Sequence, residues 1–321
     1  MTIDDLRFKN NDGIGSSIVN LEETVMSKLA LRGCGTAMVT PFQKDGSLDE
    51  RTLSSFVDWQ IEEGIHFLVP CGTTGESVTL THEEYLCVVK VTVQVAAGRV
   101  PVVAGAGGNN TAKVIELIEE LKRLRVDAIL SVSPYYNKPT QEGIYQHFRA
   151  IARSTDLPII VYNVPGRTSS NIEPETLLRL AEIPNIVAVK EASGNISQIG
   201  DLCTRVSEDF AVLSGDDAVT LPLIALGGCG VISVASNEAP RMMAEFTTAC
   251  LEGRWQEARA WNRKLYPLMK VNFVESSPIP VKAALAMMGK IAEVYRLPLV
   301  PISEGARTKL SAVLRELQLV P

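Results

Sequence analysis

Lys190 closes the apolar run Asn185-Ile186-Val187-Ala188-Val189. Two chemistries are open to a lysine in that place. It can snorkel from a strand end to solvent. Alternatively, held out of water, it loses proton affinity, and its free amine can attack a keto carbon to form a Schiff base. Four further segments carry groups suited to the second role. Gly72-Thr73-Thr74-Gly75 is either a tight connection or a nest of amides and hydroxyls able to hold a carboxylate. Tyr135-Tyr136 reads as a pair of surface or interface aromatics, and Tyr162 at a strand end is either a buried phenol with a partner or a proton carrier. Arg167, the one guanidinium in its loop, either joins a surface ion pair or captures a substrate carboxylate with two parallel hydrogen bonds.

Other chemistries lack their residues. The three histidines, His66, His82 and His147, lie in unrelated segments, and His82-Glu83-Glu84 begins but does not complete a metalloprotease helix motif. No metal site is therefore expected. Gly105-Ala106-Gly107-Gly108-Asn109-Asn110 has Asn where a dinucleotide fingerprint needs its last Gly, and there is no phosphate-binding loop with its lysine, so no cofactor is expected. The six cysteines show no paired spacing and lie mostly in apolar runs, which reads as reduced, buried thiols of a cytoplasmic protein.

The elements that must position these residues recur regularly. Eight short, β-branched runs occur at Gly35–Val39, Phe67–Val69, Val102–Ala104, Ala128–Val132, Ile159–Val161, Ile186–Val189, Ala211–Leu213 and Gly230–Val234. They are apolar without alternation, as strands buried on both faces are. Helical patterns separate them: Leu53, Phe56, Val57 and Ile61 share one face, as do Val114, Leu117, Ile118, Leu121 and Leu124. Thr81 with Glu84 has capping-box spacing, and Gly64 is placed to end a helix. Eight such units in about 220 residues match a (β/α)8 TIM barrel, with an open doubly wound sheet as the other arrangement. The candidate residues all follow strands, and the C-terminal strand ends are where barrel enzymes build their sites.

Three segments follow from this reading: a mobile N-terminal extension over 1–28, a catalytic barrel over 29–253, and a helical region over 254–321 with helices at Trp255–Lys270, Pro280–Gly289 and Ser303–Leu319. Met26 is a candidate internal start, and no signal peptide pattern precedes it. The chain has 321 residues and a formal charge of −6 without long blocks of one sign, which argues against nucleic acid as a partner. Ala218–Asn237 is the longest uncharged stretch, long enough for a membrane span, but it holds Pro222 and Gly227-Gly228, so it reads as a helix and a buried strand instead.

Six strings in order carry a resemblance: GTTGES at 72–77, SPYYNKP at 133–139, YNVPGRT at 162–168, VKEASGN at 189–195, SGDD at 214–217 and GVISV at 230–234. From about Leu31 onward the chain resembles the pyruvate-dependent class I aldolase family, and within it the branch that condenses pyruvate with L-aspartate 4-semialdehyde to 4-hydroxy-tetrahydrodipicolinate for lysine and diaminopimelate synthesis. The resemblance implies that Lys190 forms the Schiff base and that Thr73 and Thr74 hold the pyruvate carboxylate. It also implies that Tyr162 shuttles protons through Thr73 to Tyr136 of a neighbouring subunit, and that Arg167 binds the aldehyde's carboxylate. Gly215 and Ile232 would line the pocket. Because Tyr136 would work in trans, the resemblance implies at least a dimer, and usually a homotetramer built as a dimer of dimers. Other branches, acting on N-acetylneuraminate or 2-keto-3-deoxy sugar acids, share the lysine and tyrosine, and a silent barrel binding a keto acid is the non-enzymatic alternative. In relatives inhibited by lysine, the allosteric cleft matches Ser77, His82, Asn109 and Tyr135, with a Glu where this chain has Lys113. A cation there opposes the effector's ammonium, so weak or absent lysine feedback is expected.

Overall fold

The computed structural model describes residues 31–321, which pack as one unit; the expectations for residues 1–28 lie outside the described residues. Eight parallel strands follow the eight apolar runs: β1 Gly33–Ala37, β2 Phe67–Val69, β3 Val103–Gly105, β4 Ala128–Val132, β5 Ile159–Asn163, β6 Ile186–Glu191, β7 Ala211–Ser214 and β8 Gly230–Ser233. They pair in the order β2-β1-β8-β7-β6-β5-β4-β3. The ring closes where the Leu68 amide donates to the Pro101 carbonyl and the Gly105 amide to the Pro70 carbonyl, both at 2.9 Å. A (β/α)8 barrel results, with no free sheet edge.

Eight helices cover the outside: α1 Glu50–Glu62, α2 His82–Ala96, α3 Thr111–Arg123, α4 Gln141–Ser154, α5 Pro174–Ala181, α6 Ile196–Arg205, α7 Thr220–Ala225 and α8 Pro240–Leu251. Five of their starts are fixed by side-chain caps. Thr81 and Glu84 form the reciprocal capping box at α2, and Asp49, Asn110, Thr140 and Asn195 cap α1, α3, α4 and α6. Gly64, just past α1, takes the left-handed φ of +86° that ends a helix.

Along each strand the pleat sends alternate side chains outward and inward. Leu68, Ile129, Val161, Val189, Val212 and Val231 join the apolar layer under the helices. Between them, Phe67, Leu130, Tyr162, Lys190, Leu213 and Ile232 are buried without belonging to that layer. The barrel interior is therefore filled by side chains, and it depends on small partners: a Cβ on Gly35 would lie 2.0 Å from the Phe67 ring.

Three helices follow the barrel: α9 Trp255–Val271, α10 Ile279–Met287 and α11 Glu304–Glu316. They are tied to the loops after β1 and β2. Lys282 of α10 makes an ion pair with Glu76, both side chains at most 1% exposed, and its ammonium lies 4.3 Å from the Phe42 ring centre. Arg296 donates to the Gly46 and Thr79 carbonyls and to Glu84, the capping-box acid of α2. An isolated buried charge is far more costly than a pair, so Lys282→Met is expected to destabilise the fold by about 3–5 kcal/mol. Lys282→Met with Glu76→Gln should recover most of that loss. Denaturant midpoints of the two variants check the prediction, and equal losses would contradict it.

Among the described residues no helix is long and apolar enough to cross a membrane; Ala218–Asn237 divides into the short α7 and β8. All six cysteines are free, three buried and three half-buried. Several strand limits differ from the sequence expectation. β1 starts at Gly33 and ends at Ala37, because the Gly33 amide already bonds to the Cys229 carbonyl. β5 and β6 run on to Asn163 and Glu191, which pair with each other across the sheet.

Candidate active site

β5 and β6 lie side by side with Tyr162 and Lys190 as direct register partners. That placement brings the Lys190 ammonium nitrogen to 4.2 Å from the centre of the Tyr162 ring. Lys190 is 6% exposed. Burial pulls its pKa down to about 7, with Arg167 acting in the same direction and Asp217 opposing. Near neutral pH a large share of the amine is thus unprotonated and nucleophilic. The snorkelling alternative fails, since the amine stays inside the barrel mouth. Burial also pushes the Tyr162 phenol up to about 12, which keeps it protonated and able to donate.

Around this pair is a cavity of about 240 Å³ whose wall includes Thr73, Thr74, Tyr162, Arg167, Lys190 and Gly215. Thr74 is buried and Thr73 exposed. Their turn is held by hydrogen bonds from the Gly75 amide to the Gly72 carbonyl and from the Glu76 amide to the Thr73 carbonyl, both 3.1 Å. Cys71 and Glu76, on either side of the turn, take left-handed φ values of +56° and +52°. Such conformations cost about 1–3 kcal/mol each in non-glycine residues and gather at functional sites. Arg167 lies on a single helical turn, Pro165–Thr168; the residue is exposed, and its guanidinium donates to the Ser277 carbonyl at 3.3 Å in a partly buried bond.

Gly215 is required by the lysine. A Cβ there would fall 2.7 Å from the Ala192 Cβ and 3.1 Å from both Cγ and Cε of Lys190. Gly215→Ala is expected to displace the amine and lower kcat/KM by about 10–100-fold. Steady-state kinetics on the folded variant check this, and activity within twofold of the parent would contradict it.

Not every expected residue reaches the cavity. Ile232 is buried within β8, and Val234, two residues on, forms the wall instead. Tyr136 is 88% exposed with a φ of +72°. Among the described residues no hydrogen bond joins Tyr162, Thr73 and Tyr136. A second cavity of about 340 Å³ adjoins the first through Thr73, Tyr162 and Arg167, and Ser77, Tyr85 and Tyr135 line it. Of the other cleft candidates, Asn109 donates to the Tyr135 carbonyl at 3.1 Å. His82 contacts Glu120 of α3 at 3.0 Å, and Lys113 is exposed on the first turn of the same helix.

Sequence reasoning missed two groups of residues here. Met269, Lys270, Phe273 and Ser277 of the C-terminal region also line the Lys190 cavity. Asp217 lies deep beside the lysine, accepting from the Val234 and Ala235 amides at 3.1 and 3.0 Å. Burial raises its pKa. The SGDD string contained both acids, but only the fold shows that Asp216 lines the cavity while Asp217 is buried behind it.

A family model described as the dihydrodipicolinate synthetase family matches residues 30–317. A 4-hydroxy-tetrahydrodipicolinate synthase of Koribacter versatilis is 58% identical over 289 residues, covering 90% of this chain and 96% of its own. A relative of the same name from Acidobacterium capsulatum is 53% identical, covering 90% and 97%. Among solved structures, a chloride-inhibited dihydrodipicolinate synthase of Acinetobacter baumannii complexed with pyruvate superposes with a TM-score of 0.89. It is 45% identical, covering 90% of this chain and 99% of that one.

Proposed function

The chain belongs to the dihydrodipicolinate synthetase family, and from that premise we propose how its residues carry out the family's reaction. The activity is that of a lyase, the condensation of pyruvate with L-aspartate 4-semialdehyde to 4-hydroxy-tetrahydrodipicolinate in lysine and diaminopimelate synthesis. One observation carries the assignment of the nucleophile: a buried amine in register with Tyr162 at a shared cavity, where burial pulls its proton affinity down.

The Lys190 nitrogen attacks the ketone carbon of pyruvate, and water leaves to give an iminium. That cation is an electron sink, so a methyl proton is lost and an enamine forms. Thr74 and Thr73 hold the carboxylate against the Gly72–Gly75 turn. Tyr162 delivers and removes protons at the reacting carbon and nitrogen. The enamine carbon attacks the aldehyde, whose own carboxylate Arg167 binds at the mouth. The substrate amine then adds to the iminium carbon, closes the ring and releases Lys190.

Tyr136, turned to solvent in one chain, completes the site from a second subunit, and the working assembly is a homotetramer in the cytoplasm. Borohydride reduction in the presence of pyruvate tests the chemistry: peptide mass mapping is expected to place the adduct on Lys190, and an unmodified Lys190 would remove the Schiff-base reading.

Lys113 sets a further expectation. With a cation where an effector ammonium would approach, L-lysine at 1 mM — on the order of the weak end of small-ligand affinities — should leave initial rates within about 20% of the uninhibited value. Half-inhibition below that concentration would contradict it.

A further inference from the structure

The residues after Tyr162 and Lys190 form the next register pair of the same two strands, Asn163 with Glu191. By the pleat they face away from the cavity, and neither lines it. Both are buried, at 0% and 1% exposure. Their side chains meet: Asn163 Nδ2 donates to Glu191 Oε2 at 2.9 Å. The other Glu191 oxygen, Oε1, accepts from the Ser193 amide at 2.6 Å, and Gln198 Nε2 of α6 also approaches Oε2 at 3.4 Å. Asn163 is fixed in turn, its Oδ1 accepting from the Ile172 amide at 3.0 Å and its Nδ2 donating to Asn171 Oδ1 at 2.9 Å. The backbone continues the pairing toward the site, because the Ala192 amide bonds to the Asn163 carbonyl and the Gly215 amide to the Glu191 carbonyl.

We propose that Asn163 and Glu191 are positioning residues for the reaction, their cross-strand hydrogen bond on the outer face of the barrel holding Tyr162 and Lys190 in register on the inner face. The proposal rests on the Schiff-base reading of Lys190. The chemistry of the network explains why a carboxylate stands beside the nucleophile. Both Glu191 oxygens face only donors, so an amide at 191 would turn its NH2 toward the Ser193 amide or toward Asn163 and Gln198. Two strands then lose their side-chain tie at the step next to the reacting pair. Displacements of about 1 Å at such a pair are enough to slow attack on a bound carbonyl up to about 100-fold.

The test is the single-turnover rate of pyruvate trapping by borohydride, read on intact mass across pH, beside steady-state kcat and KM. Glu191→Gln is expected to lower the trapping rate and kcat by about 10-fold or more, with the pyruvate KM changed less than threefold. Exchanging donor and acceptor, Glu191→Gln with Asn163→Asp, lets the new amide donate to the new carboxylate once the mutually bonded Asn171 and Gln198 amides turn over, and should bring the rate back to within about threefold. A purely structural role predicts a lower melting midpoint with unchanged trapping by the folded protein, and that result overturns the proposal. Should Glu191→Gln not fold, Gln198→Met, which removes one donor from α6, decides instead: a threefold or larger loss is expected, and parental trapping overturns. Trapping by the parent with no effect of the variants defeats only the positioning role, whereas a parent that forms no adduct defeats the Schiff-base reading as well.

Discussion

Replacing Lys190 with methionine is expected to abolish turnover, by about 10⁴-fold or more, while raising conformational stability by about 1–2 kcal/mol. Both effects have one cause. The amine is useful because the barrel strips it of water, and that desolvation is a standing cost to the fold. The sign with pH follows from proton linkage. The folded pKa of about 7 lies below the ordinary lysine value of 10.5, so the unfolded chain binds more protons between those values. This group's contribution to stability therefore rises with pH across that window. Lys190→Met loses that rise, and its advantage should be largest at or below pH 7 and shrink toward pH 10.5. In the parent, the rate of pyruvate trapping should climb as pH rises through about 7 and flatten above it. Melting midpoints at three pH values and a trapping profile check both halves. A variant less stable than the parent at pH 7 would show that Lys190 is held by favourable contacts rather than by desolvation.

The second large effect belongs to Tyr162. Tyr162→Phe removes one oxygen from a buried ring whose packing against the lysine is otherwise retained. General acid–base catalysis typically supplies 10²–10⁴-fold, and a loss of about 10²–10³ in kcat is expected, with the pyruvate KM little changed. The phenol is pushed up to about 12 by burial, so it works as a donor at neutral pH and takes up a proton only in exchange with a neighbour. The variant should still form a trappable adduct, more slowly than the parent. A kcat within fivefold of the parent would place the proton transfers on another group.

The frame was legible because barrel strands are buried on both faces, and a continuous β-branched run is hard to read otherwise. β2 and β4 begin and end where the apolar runs do. The caps were legible for an equally local reason, since Thr81 and Glu84 need only each other. Strand ends were harder. Asn163 and Glu191 are polar and look like loop residues, yet each finds its partner on the neighbouring strand, 28 residues away in sequence. The Glu76–Lys282 pair spans 206 residues, and although Lys282 sits in the apolar run Ile279–Leu285, nothing in the sequence names its partner. Lys190 itself was legible as a position and as a motif, but its protonation depends on burial by several elements at once. The same limit explains why Met269 and Phe273 were missed at the cavity: the helix that carries Met269 was expected, while its docking over the barrel mouth, with Phe273 just past its end, is a tertiary fact.

The central claim is that Lys190 and its neighbours convert pyruvate and L-aspartate 4-semialdehyde to 4-hydroxy-tetrahydrodipicolinate. Its most direct test is product formation from those two substrates, coupled to the reductase that consumes the product, in the parent and in Lys190→Met side by side. Sustained turnover by the parent and none by the variant are expected. A parent that traps pyruvate yet makes no product with this aldehyde, or a variant that keeps its rate, would contradict it.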